Sequence, residues 1–213
     1  MSKKSDGILD GLITLFHERL GLSPNQISAI GFVIGLVAAL LVGLHFLLTG
    51  LIVMALSQIV DGLDGGVARK YHLQSDRGQM LEVVFDRLNE LTMFLALAVT
   101  EYVTYGMAAL AFSAILLVTV VEPKSKFDPG FKRFMLYFGY LVTLIFQVKG
   151  FQIAMHVIFF ANLIGFAVGT ILVDYRLQAE IDAQAILRRE REVALGIPQP
   201  PDDPPSFLSK LFS

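Results

Sequence analysis

Four carboxylates stand at helical spacing in one stretch of this 213-residue chain. Asp61 and Asp64 lie three apart, and Glu82 and Asp86 four apart, in the segment DGLDGGVARKYHLQSDRGQMLEVVFD at 61–86. On α-helices those spacings put each pair on one face. A polar link around 72–77 turns the chain back, so the two helices run antiparallel and the pairs can face each other. Four such charges beside apolar sequence repel one another and are costly to desolvate. Protonation, pairing with Arg or Lys, or cation binding relieves them. All-carboxylate ligation favours hard ions such as Mg²⁺, Mn²⁺ or Ca²⁺. A pair of them can in turn hold a diphosphate and stabilise charge in a displacement reaction.

The residues between the acids belong to the same chemistry. Gly65 and Gly66 are each worse helix formers than Ala by roughly 1 kcal/mol. With Ala68 they take side-chain bulk away from the acids and let a ligand approach the backbone. Arg69 supplies a fork of donors for a phosphate. The plainer reading of the same residues is a salt-bridged, loosely packed helix end. No Cys is present, so thiolate metal sites, disulfides and Cys nucleophiles are excluded. His17, His45, His72 and His156 have no metal-ligand spacing, and His45 and His156 are expected within packed spans. No Walker loop, dinucleotide fingerprint, nucleophile elbow or basic-aromatic nucleic-acid surface occurs.

The elements that position these residues are membrane helices. Hydrophobic residues make up 54% of the chain and charged residues 17%, against about a quarter charged in ordinary soluble domains. Between Leu20 and Val60 there is no Asp, Glu, Lys or Arg. That run is too long for one span of roughly 20 residues. Leu48-Thr49-Gly50 supplies a turn, giving helices near 26–48 and 51–71. Further charge-free runs at 91–100, 102–121, 134–148 and 150–173 bring the total to six spans, the third extending upstream of 91. About eleven apolar residues precede Asp61 on the second helix, covering ~17 Å at 1.5 Å per residue. The acids therefore belong in a water-reached recess at one membrane boundary.

Charge sets the orientation. Lys3, Lys4 and Arg19 precede the first span. Arg69, Lys70 and Arg77 lie between spans two and three, Lys124, Lys126, Lys132 and Arg133 between four and five, and Arg176, Arg188, Arg189 and Arg191 after six. The alternate loops hold only Lys149. By the positive-inside rule both termini and the acids are cytoplasmic, on the cell membrane in a prokaryote. Residues 1–7 do not read as a cleaved signal. Residues 8–20 carry Ile8, Leu9, Leu12, Ile13, Leu15, Phe16 and Leu20 largely on one helical face, which suits a helix lying in the lipid interface or one packed on the protein. Residues 1–25 thus form an N-terminal interfacial unit, 26–175 an all-α membrane domain, and 176–213 a charged cytoplasmic helix with a Pro-rich tail. In that tail Phe207, Leu208, Leu211 and Phe212 could touch the membrane. Gly31-x-x-x-Gly35 and Gly165-x-x-x-Gly169 suit close helix packing, within the chain or in a homodimer.

The acidic segment resembles the CDP-alcohol phosphotransferase (phosphatidyltransferase) family, whose pattern is D-x2-D-G-x2-A-R-x8-G-x3-D-x3-D. Asp61, Asp64, Gly65, Ala68, Arg69, Gly78 and Asp86 match, seven of eight fixed positions over 26 residues. Ser23-Pro24-Asn25-Gln26-Ile27-Ser28 also looks like the family's entry to its first span. The resemblance implies transfer of a substituted phosphate from CDP-diacylglycerol or a related CDP-lipid to a small polar alcohol, with release of CMP. It further implies that Asp61, Asp64, Glu82 and Asp86 bind two divalent cations, Mg²⁺ or Mn²⁺. Asp86 would also be general base, and Gly65, Ala68, Arg69 and Gly78 would line the nucleotide site. The departure is Glu82, where the family has Asp. Its extra methylene displaces the carboxylate by ~1.5 Å, which octahedral Mg²⁺ tolerates less well than Ca²⁺ or Mn²⁺.

Lys132 and Arg133, at the start of the fifth span, are the preferred holders of a phosphate on the acceptor. Membrane topology alone also explains basic residues there. Asn89 and Glu90 finish the recess or pair with Arg87. Two other classes stay open: a non-catalytic binder of metal or CDP-lipid, suggested by Glu82, and a small cation transporter, whose acids belong nearer the bilayer midplane. Activity discriminates. Glu82→Asp is expected to preserve or raise CMP release, and Asp86→Asn to abolish it; full CMP release by Asp86→Asn sinks the base assignment.

Overall fold

The computed structural model describes residues 11–125 and 132–195, without the side chains of 122–125 and 193. Lys3, Lys4, Lys126, residues 8–10 of the N-terminal amphipathic stretch and the tail from 196, Phe207, Leu208, Leu211 and Phe212 included, lie outside the described residues, as does the side chain of Lys124.

A short helical segment over 11–14 continues into a π-turn at Leu15–Arg19. Six long helices follow: α1 (Pro24–Gly43), α2 (Leu47–Lys70), α3 (Asp76–Val99), α4 (Tyr105–Ser125), α5 (Lys132–Phe146) and α6 (Gly150–Ala194). No strand occurs among the described residues. The helices stand where the charge-free runs place spans. By length and composition α1, α2 and α6 are long and apolar enough to cross a membrane, and the apolar part of α4, Tyr105–Val121, is shorter. Each helix leaves large apolar side chains outward, Leu40 on α1, Ile52 on α2, Leu95 on α3, Val120 on α4, Leu144 on α5 and Ile171 on α6 among them. The last apolar run and the charged stretch after it are one uninterrupted element, α6.

Local chemistry fixes the helix starts nearest the acids. Ser23 caps α1 in a reciprocal box with Gln26: the Ser23 amide donates to Gln26 Oε1 at 2.8 Å, and the Gln26 amide donates to Ser23 Oγ at 3.4 Å. Pro24 takes the first helical position, where a missing N–H costs nothing. Ser75 caps α3, accepting from the Gly78 amide at 3.1 Å, with Asp76 in the first turn.

The first turn lies elsewhere than Leu48-Thr49-Gly50. The chain reverses at Leu44–Phe46 around His45, whose φ of 67° is left-handed. The His45 amide donates to the Val42 carbonyl and the Phe46 amide to the Leu41 carbonyl, both at 2.9 Å, a Schellman closure built on a residue other than Gly. Gly50 is inside α2, and its role is proximity. A Cβ there would come within 2.5 Å of Val42 Cγ2 and 2.9 Å of the Ala38 carbonyl oxygen. The signal read as a turn is a contact between α1 and α2. His45 is therefore an exposed turn residue, and His156 lies on the outward side of α6 with Nδ1 2.7 Å from the Gln152 carbonyl. Neither is packed within a span.

Helix α1 packs against both α2 and α3, while α4 and α5 pack on α6 and α3 meets α4. Gly31 lies against the α2 backbone, and Ser57 Oγ donates to its carbonyl at 2.8 Å. Gly35 lies under Asn89 of α3. Gly165 and Gly169 are also buried. The small-residue spacings thus serve packing inside the chain. A continuous core through Val42, Met54, Leu97, Ile115, Leu136 and Met155 ties all six helices together. Replacing Gly50 by Ala should overpack the α1–α2 contact and cost roughly 1–3 kcal/mol, lowering the unfolding midpoint in detergent. Gly106→Ala, which meets open space, should leave the midpoint unchanged, and equal midpoints for the two variants would refute the close-contact role.

Candidate active site

The acids sit near the C-terminal end of α2 and the N-terminal end of α3, on either side of the link that ends α2. Tyr71 closes α2, and His72, with φ 56°, leads into the link before Ser75. Fourteen residues of α2, 47–60, precede Asp61, covering ~21 Å at 1.5 Å per residue. That is longer than the eleven read from the sequence, because Leu47–Thr49 are helical, but still short of a hydrocarbon core of ~30 Å. Since α1 contacts both α2 and α3, it forms the back wall of the cleft between them.

Asp64 is the most buried of the four acids, at 3% exposure. Its carboxylate accepts from Ser28 Oγ on α1 and from the Gly65 amide. A buried carboxylate needs such donors, and Ser28 lies one turn into α1 with its hydroxyl also 3.1 Å from the Pro24 carbonyl. The sequence segment Ser23–Ser28 pointed to this region, but the partnership with Asp64 across 36 residues is visible only in the fold.

Beside Asp64 opens a recess with room of about 160 Å³, into which Gly65, Ala68, Arg69, Gly78 and Glu82 all project. The structure therefore brings together the four residues expected at a nucleotide and two of the four acids. Two glycines have a readable reason. A Cβ at Gly65 would come within 3.2 Å of Arg69 Nη1, so its absence lets the guanidinium fold back over the helix. At Gly78 a Cβ would lie 3.1 Å from Asn25 Oδ1, a second α1 residue of the recess that spacing did not single out. Gly66 behaves differently from expectation and does not line the recess. Ile13 of the N-terminal segment occupies the space above it, 2.7 Å from where a Cβ would stand.

That contact is part of a wider dock. Leu12, Ile13 and Phe16 pack on buried Ile27, Leu63 and Val67. Tyr71 donates to Glu18 Oε1 at 2.7 Å, Lys70 Nζ to Thr14 Oγ1 at 3.0 Å, and the His17 and Tyr71 rings lie 4.2 Å apart. The described part of the amphipathic stretch therefore packs on the protein.

Asp61 and Asp86 are joined by a residue from a third helix. Arg133 Nη1 donates to Asp61 Oδ2 at 3.1 Å, and Nη2 donates to Asp86 Oδ1. The start of α5 is thereby fixed at the same end of the bundle as the acids. Beside Asp86 and Arg133 lies a second recess of about 310 Å³, bounded by Gln58, Asp86, Arg87, Glu90, Lys132 and Arg133. Glu90 is buried and accepts from Arg87 Nη1 at 2.7 Å, and the charge of Lys132 also acts on it. Arg87 Nε and Asn89 Oδ1 are buried with no protein partner among the described residues.

The four acids act electrostatically on one another across the cleft. Their donor set, carboxylate oxygens only, suits a hard divalent cation. As the side chains stand, no three acids among the described residues are gathered closely enough to enclose an ion. The partners already named account for that: Ser28 and the Gly65 amide hold Asp64, and Arg133 spreads Asp61 and Asp86 across its own fork.

Comparison with known proteins identifies the family. The model of the CDP-alcohol phosphatidyltransferase family matches residues 22–165, more than half of the chain. The chain is 35% identical to the inner membrane protein YnjF of Escherichia coli (strain K12) over 71 residues, 33% of this chain and 34% of that protein. It is 30% identical to the archaetidylinositol phosphate synthase of Pyrococcus horikoshii over 100 residues, 47% of this chain and 53% of that one. The matched segments thus span about a third to a half of these relatives' length. In fold it is similar to the crystal structure of Mycobacterium tuberculosis phosphatidylinositol phosphate synthase (PgsA1) in apo form, with a TM-score of 0.63 at 18% identity over 78% of this chain and 94% of that one. The chain belongs to the CDP-alcohol phosphatidyltransferase family.

Proposed function

We propose that this protein is an integral membrane enzyme of phospholipid synthesis. It transfers a phosphatidyl-type group from CDP-diacylglycerol or a related CDP-lipid to a small polar alcohol that carries its own phosphate. The observation that carries the reading is a pair of recesses among the acids, one lined by Asp64 and Glu82 and the other by Asp86 and Arg133. One has the family's glycines and Arg69. The other gathers Arg87, Lys132 and Arg133. A donor in the first and an acceptor in the second would meet at the acids, and proximity of that kind is a large part of what such a site can contribute.

In this reading Gly65, Ala68 and Gly78 leave room for the nucleotide, and Arg69 donates to its phosphates. Two divalent cations, Mg²⁺ or Mn²⁺, held by Asp61, Asp64, Glu82 and Asp86, would supply neutralisation of the diphosphate charge. Asp86 borders the second recess and takes the proton of the acceptor hydroxyl. The hydroxyl oxygen forms its bond to the lipid-bearing phosphorus as the bond from that phosphorus to the CMP oxygen breaks. Lys132 and Arg133 hold the acceptor's phosphate. The relatives whose names include inositol phosphate products support a phosphorylated acceptor without fixing its carbon skeleton. All six helices cross the membrane, with the acids and both termini cytoplasmic, and α6 continues as the cytoplasmic helix.

Purified protein in detergent, given CDP-diacylglycerol, Mg²⁺ or Mn²⁺ and a panel of alcohols with and without phosphate, should release CMP with a phosphorylated member. Chelation by EDTA should stop it. Absence of CMP with every acceptor would favour the binding-only reading. Lys132→Gln should raise KM for the phosphorylated acceptor roughly tenfold, the loss of one charge-assisted hydrogen bond, while KM for the CDP-lipid stays within about twofold. An unchanged acceptor KM would remove Lys132 from the acceptor site.

A further inference from the structure

Arg133 occupies an unusual position for a residue assigned to an acceptor. It comes from α5, yet both terminal nitrogens are engaged with acids on α2 and α3. The oxygens it covers, Asp61 Oδ2 and Asp86 Oδ1, are lone-pair sites that a cation held by those acids would use. A guanidinium and a divalent cation compete for them, because the charges repel and both draw on one set of acceptors. The side chains of Arg133, Asp61 and Asp86 are about three quarters or more shielded from solvent, so water does little to soften that competition.

We propose that Arg133 is the built-in counter-ion of the acidic site. A divalent cation at Asp61 and Asp86 displaces its guanidinium into the neighbouring α5-side recess, so that cation and anion bind with positive linkage. The inference rests on the reading of the acids as cation ligands. With the bridge closed, Arg133 is offset by Asp61 and Asp86, and Arg87 is tied to Glu90. Once Arg133 is released, the recess bounded by Arg87, Glu90, Lys132 and Arg133 gains an uncompensated positive charge. A cation thereby creates part of the binding site for an anion. Linkage then requires the converse: an anion that draws Arg133 away must raise the affinity for the cation by the same factor. The guanidinium in place between Asp61 and Asp86 also accounts for the acids standing apart in the closed arrangement. Arg133 is in this role a positioning residue, and its effect reaches the cation site through competition rather than ligation.

Mn²⁺ binding tests this without turnover. Full-length protein in detergent is titrated with Mn²⁺ and the free ion followed by electron paramagnetic resonance, with and without inorganic phosphate as the anion probe. Arg133→Gln is expected to bind Mn²⁺ roughly tenfold more tightly than the unsubstituted chain, within the usual range of coupling between sites. Phosphate should tighten Mn²⁺ binding several-fold in the unsubstituted chain and not in Arg133→Gln. Arg133→Lys keeps the charge but is a single point donor that cannot span both carboxylates. Its Mn²⁺ affinity should fall between the two, and it decides the matter if Arg133→Gln does not fold. Equal or weaker Mn²⁺ binding in the substituted proteins overturns the inference alone. No Mn²⁺ binding by the unsubstituted chain overturns the reading of the acids and the inference with it. Tighter Mn²⁺ binding in Arg133→Gln with no phosphate effect in the unsubstituted chain overturns the linkage.

Discussion

Negative charge placed at one end of an apolar bundle must be compensated, and the site is organised by how that is done. Asp64 is satisfied by hydrogen-bond donors, Ser28 and the Gly65 amide. Asp61 and Asp86 are satisfied by one guanidinium from another helix. Glu90, deeper along α3, has Arg87 a turn before it. Each solution ties a different pair of elements together: α1 to α2, α5 to α2 and α3, and α3 to itself. The polar groups that make chemistry conceivable therefore also set where the helix ends lie. Buried pairs of this kind contribute little net stability relative to apolar packing, but are costly to break by removing one partner.

Those ties form where the helices approach closely along α1. Gly31 and Gly50 bring α1 and α2 into backbone contact, and Gly35 accepts Asn89 from α3. With α1 wedged against both neighbours, α2 and α3 are held at a separation that leaves room between them for the recess beside Asp64. The small residues through which α2 meets α1 and the acids of α2 share one face of that helix.

Much of the site was legible in the sequence because its signals are local. The three- and four-residue spacings of the acids, the eight residues between Arg69 and Gly78, and the capping chemistry of Ser23 all act within a turn or two of helix. The recess that gathers Gly65, Ala68, Arg69, Gly78 and Glu82 follows from those spacings once the chain doubles back. What the sequence hid were partnerships at long range. Arg133 lies 72 residues from Asp61 and 47 from Asp86, and topology alone sufficed to explain a basic residue there. Glycine was the other source of error, since the same residue serves a turn, a ligand approach or a helix contact. Gly50 was read as the first and Gly66 as the second, and both serve the third. His45 shows the converse, a left-handed turn made without glycine at all.

The continuity of α6 has a mechanical side. Its 45 residues form one helix, and the portion beyond Val173 extends it by ~31 Å at 1.5 Å per residue. An unbroken rod transmits rotation. Its buried end rests on α4 and α5, where Gly139 of α5 lies against the backbone at Gly150. A tilt of about ten degrees about Val173 would sweep the far end through ~5 Å, by the same rise per residue. Conversely, whatever constrains the charged end of α6 also constrains the helix on which α5 lies, and with it the base from which Arg133 reaches the acids.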